Sequence, residues 1–102
     1  MEINENDAIK ITEYMEIIRT SLAKIGSMYF DDPESLAKAI CYFCLDYDVF
    51  KKVSTAYRIM VDAIENNEKA MIILDHTFEN MAYWNIPQSI SMDDIVKKME
   101  RP

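Results

Sequence analysis

The sequence predicts an all-α fold, a compact bundle of four or five helices forming one domain over residues 1–102. Three observations predict it. Apolar residues recur at three- and four-residue spacing through most of the chain, and capping residues stand just before several of these runs. Only one glycine and three prolines occur, too few for the tight turns that hairpins favour. With half of its 102 residues apolar, the chain has the size and composition of a single folded core.

The first helix is expected from about Asp7 to Tyr29, with Ile11, Tyr14/Met15, Ile18, Leu22, Ile25 and Met28/Tyr29 along one core-facing stripe. Asp32-Pro33-Glu34 then marks a second start, because Asp caps, Pro suits the first helical position and Glu complements the helix dipole. The run that follows, residues 39–45, is apolar on every side. Such a helix needs cover all round, from neighbouring helices or from another chain. A seven-residue apolar run also fits a buried strand, as does Met71-Ile72-Ile73-Leu74. An α+β fold with short strands near 39–45 and 71–74 is therefore the alternative.

A third helix is expected after a cap at Asp46 or Asp48, with Phe50, Val53, Tyr57, Met60, Val61 and Ile64 inward and Lys51 and Lys52 outward. Asn66-Asn67 breaks it. The fourth runs from about Glu68 to Tyr83, and Pro87 stops the pattern. Ser91 begins a short fifth helix with Asp93 and Asp94 in its first turn and Lys97, Lys98 and Arg101 near its end. The starts at Asp32 and Ser91 share one layout, which raises a duplicated helix–loop–helix unit as a variant, although helix-start physics alone produces the same pattern.

Chemistry is sparse. Cys41-Tyr42-Phe43-Cys44 has C-x-x-C spacing, but a structural zinc needs four ligands and the chain has only these two Cys and one His, His76. Both Cys lie among apolar neighbours, far from a helix start that would stabilise a thiolate. Asp75, His76 and Glu79 make one His-carboxylate set, whereas a di-metal site takes paired motifs on separate helices. The acids near 31–34 and 93–94 lack the alternating spacing of a calcium loop, and no phosphate loop, nucleophile elbow or cofactor fingerprint occurs. No catalytic, cofactor-binding or metal-binding residue is assigned, and no enzymatic activity is expected.

The net charge is −7, and residues 1–50 carry ten acids against four bases. Direct contact with nucleic-acid phosphates is not expected of such a surface. No apolar run reaches the roughly 20 residues that span a bilayer, and the acidic start does not resemble a secretion signal. A cytoplasmic protein is expected, one that acts on neither nucleic acid nor membrane.

What exceeds the needs of a small core is the eleven aromatics and eight methionines. These residue types are enriched where proteins touch. Tyr42, Tyr47, Tyr83 and Trp84 fall near predicted helix ends or off the stripes and are the candidate partner-binding residues. The function expected is a protein–protein interaction module, binding a partner peptide or helix in an apolar groove or pairing with itself as a homodimer. The alternative is an acidic inhibitor, of phage or viral accessory type, that blocks the basic nucleic-acid-binding surface of another protein.

Overall fold

Asn4 opens the chain's regular structure: its side-chain oxygen accepts from the amides of Asn6 at 2.8 Å and Asp7 at 3.3 Å. In the computed structural model, which describes residues 2–100, the first helix α1 accordingly spans Glu5–Met28. It begins two residues before the expected start, because Asn4 takes the cap. Four further helices follow, α2 (Pro33–Asp46), α3 (Val49–Glu65), α4 (Glu68–Glu79) and α5 (Met92–Met99). No strand occurs among the described residues. The fold is all-α, and both 39–45 and 71–74 are helical.

The caps explain these boundaries. The Ser35 amide donates to the Asp32 carboxylate at 3.1 Å, with Pro33 in the first turn, as the sequence predicts. At α4 the Ala70 amide donates to the Asn67 side chain at 2.9 Å. Ser91 and Asp94 form a reciprocal box, each amide donating to the other's side chain at 2.9 and 3.2 Å. Asp48 serves differently from the cap expected of it: its φ of 58° places it in the left-handed region, one residue before α3 begins. Aspartate tolerates that region better than most residues.

α4 ends earlier than its apolar pattern suggests. The Asn80 side chain donates to the His76 carbonyl at 2.8 Å, occupying a carbonyl oxygen of the last turn. Asn66 does the same to Asp62 at the end of α3. Tyr83 and Trp84 therefore lie beyond α4 in an irregular segment rather than at its end. Arg101, expected near the end of α5, lies outside the described residues.

Two compact units are distinguished within the chain. One comprises the residues up to Met15 together with Lys51–Asn85, and the other Glu16–Phe50 together with the residues from Ile86 onward. In the first, Lys52 leaves the outward position expected of it and places its ammonium over the Tyr14 ring, 5.8 Å from the centroid. That contact ties α3 to α1 by a cation–π attraction. Ala56, only 6% exposed, is the one buried residue among those described. Around it Thr55, Ile59 and Ala63 of α3 are half-buried, and so are Met60, Val61 and Ile64 of the predicted stripe. The stripe is thus covered only in its second half, and Phe50, Val53 and Tyr57 in its first half are exposed.

In the second unit α5 packs on α2. A small cleft of about 200 Å³ between the start of α2 and α5 is lined by Phe30, Pro33, Val96 and Met99. The amphipathic pattern of α5 therefore does face the protein, with Val96 and Met99 turned toward α2.

Candidate functional site

The second unit carries an open groove of about 620 Å³ formed by the end of α1 and the length of α2. Ile25, Met28 and Tyr29 form one wall, and Ala39, Tyr42 and Phe43 the other. The end of α1 reaches this position because Tyr29 continues its hydrogen bonding, its amide donating to Ile25 at 3.0 Å, and the Asp32 amide turns back to Tyr29 at 3.1 Å. That short turn brings the Asp32-Pro33 start of α2 directly after α1.

The polar groups of the groove are few and ordered. Lys38 and Asp46 stand on the α2 wall on either side of Tyr42. Residues four and eight apart on a helix fall within about 80° of one another, so Lys38, Tyr42 and Asp46 share one face. Lys38 also pairs with Glu34 one turn earlier, at 3.1 Å, with both side chains exposed. Such surface pairs stabilise little.

Of the four residues singled out from sequence, Tyr42 is 71% exposed and lines the groove. Tyr47 is half-buried at the end of α2, stacked on Phe43. Its ring supports the groove wall from the helix end. Tyr83 and Trp84, at 67% and 77% exposure, lie side by side in the irregular segment of the other unit. The groove wall given by α1 was missed in the sequence: Ile25, Met28 and Tyr29 read there as core positions. The signal available was the all-apolar run 39–45, whose every side cannot be covered by α5 alone.

Ionisable groups are arranged for local structure. Hydrogen bonds from the Ser35 side chain and amide hold the Asp32 carboxyl below its usual range, and the Ser91 amide and hydroxyl do so for Asp94. Arg19 and Thr20 side chains lower Glu16 by hydrogen bonding to it along α1. Cys41 is exposed and Cys44 half-buried, both as free thiols. Among the described residues no three His, Cys, Asp or Glu side chains come together to hold a metal ion, and Asp75, His76 and Glu79 all lie on exposed positions of α4. No described helix is long and apolar enough to cross a membrane.

The chain matches no family model, no curated protein and no solved structure.

Proposed function

We propose that this protein is a non-catalytic interaction module that takes an apolar helix into the α1–α2 groove. One observation carries the reading. The run of α2 that the sequence marks as apolar on every side keeps Tyr42 open to solvent on the groove wall, at 71% exposure. A tyrosine so placed on an apolar groove wall is the kind of residue that anchors helix-in-groove recognition. Two free cysteines suit a reducing cytoplasm, and a groove wall of this composition suits protein rather than nucleic acid or lipid.

Acidity does not single out a recognition face. Nine acids stand against five bases in the first unit and nine against six in the second, so the negative charge divides almost evenly. The groove reading is preferred over the acidic inhibitor on that ground.

The test is a photo-crosslinking amino acid placed at Tyr42, with the same group at exposed Arg58 as control. In the source cell, position 42 should give a discrete covalent adduct with a polypeptide and position 58 none. Absence of any adduct specific to position 42 would remove the binding-module reading.

A further inference from the structure

The groove has a self-complementary layout. Along one face of α2, a positive charge (Lys38), an aromatic (Tyr42) and a negative charge (Asp46) follow one another at equal four-residue intervals. Lys38 and Asp46 are about 12 Å apart along the axis, with Tyr42 midway. Asp46 has no hydrogen bond or ion pair from its side chain to the described residues. A second helix of the same sequence, laid antiparallel across this face, brings its Asp46 beside Lys38 and its Lys38 beside Asp46. The two Tyr42 rings then meet at the centre. Between the charged ends the seven residues 39–45 are all apolar, so no like charge is forced into the contact.

We propose that the occupant of the groove is a second copy of this chain, its α2 docked antiparallel on α2 about a two-fold axis through Tyr42. The proposal rests on the groove reading above and names its partner. A two-fold interface uses the same patch on both subunits, and each contact in it occurs twice. Each α2 also faces Ile25 and Met28 of the other copy's α1, giving a four-helix arrangement of two α1–α2 pairs. The Phe43–Tyr47 stack keeps the wall rigid, so little ordering is needed on docking.

The experiment is sedimentation equilibrium on the full chain and on the variants Lys38→Glu, Asp46→Lys and the double exchange Lys38→Glu/Asp46→Lys, with circular dichroism to verify the helices. The wild type should be a reversible dimer. Each single reversal sets like charges together at both ends and should raise the dissociation constant tenfold or more. The double exchange restores opposite charges and should recover most of the loss. A dimer indifferent to these exchanges, or a double exchange as weak as the weaker single, overturns the proposal and points to another surface. A strictly monomeric wild type at about 100 μM also overturns it. In that case binding of the apolar dye 8-anilinonaphthalene-1-sulfonate decides the underlying reading: binding abolished by Tyr42→Glu leaves the groove as a site for a different protein, and no binding removes the groove reading as well.

Discussion

The rings of Phe43 and Tyr47 lie stacked, with centroids 5.8 Å apart and planes 7° from parallel. They stand four residues apart, so the contact bridges the last turn of α2 into the residue that caps it, Tyr47, whose amide donates to Phe43 at 2.9 Å. A side-chain contact and a backbone bond thus close the same turn. Tyr47 supports the wall and Tyr42 presents it, although the two are alike in the sequence.

That difference predicts opposite phenotypes. Tyr47→Ala should destabilise the fold by about 1–2 kcal/mol, since stacked aromatic pairs contribute about 0.5–1.5 kcal/mol beyond their burial. Tyr42→Ala should leave the thermal melt of the monomer nearly unchanged, because the ring is exposed, and should weaken association by about 2 kcal/mol or more. Thermal melts and sedimentation on the same two variants separate these effects. Equal melting losses for both would mean that Tyr42 is core.

Ala56 and Tyr57 give a second contrast. Ala56 is 6% exposed and Tyr57 is 57% exposed, the reverse of what residue size suggests. Ala56→Leu should overpack the inward face of α3 and cost about 1–3 kcal/mol. Tyr57→Ala should cost less than Ala56→Leu, as measured by urea unfolding of each variant. The opposite ranking would restore the predicted stripe as the core.

Gly26 sits inside α1 with nothing within 4 Å of the place a Cβ would occupy. Nothing in the fold requires its lack of a side chain there. Gly26→Ala should therefore raise stability by about 0.5–1 kcal/mol through helix propensity and a less flexible unfolded chain. A rise in melting temperature of a few degrees is the expected reading, and a fall would show that the residue is used in a way its surroundings do not reveal.

Acid should loosen two helix starts together. Asp32 and Asp94 are both held below their usual range in the folded chain, so each contributes stability that is fully present above the unfolded value, about 3.9. The contribution is lost as pH falls through that value toward the lower, folded one. Helical circular dichroism followed from pH 6 to pH 2 should decline in this window. In Asp32→Asn, where the cap carries no charge, that part of the decline should be smaller. An unchanged acid profile would mean that the cap's charge contributes little.

Ionic strength distinguishes the two kinds of partner. Recognition through the apolar groove, with only the Lys38 and Asp46 charges at its ends, should weaken by a few fold between 50 and 500 mM salt. An acidic inhibitor held to a basic surface by many exposed carboxylates should lose affinity steeply over the same range. Titrations at the two salt concentrations make the comparison.

The sequence by itself determined the class of the fold and most helix starts, because these depend on contacts within a few residues. Asp32, Asn67 and Ser91 with Asp94 each act on amides three positions away, and periodicity marks a helix wherever the chain lies. Ends were harder to read. The stop of α4 at Glu79 depends on the Asn80 side chain turning back to His76, while the apolar pattern continues past it to Trp84. Which apolar face is covered was decided only by the tertiary structure. α3 has apolar residues on two sides, and the sequence favours the larger ones, Phe50, Val53 and Tyr57, as core. The fold leaves these three exposed, half-buries Met60, Val61 and Ile64 of the same stripe, and covers Ala56 most fully, on the side where Lys52 is drawn across Tyr14 on α1. Hydrophobicity tells a helix that a face is worth burying, but only the neighbouring elements determine which face is reached.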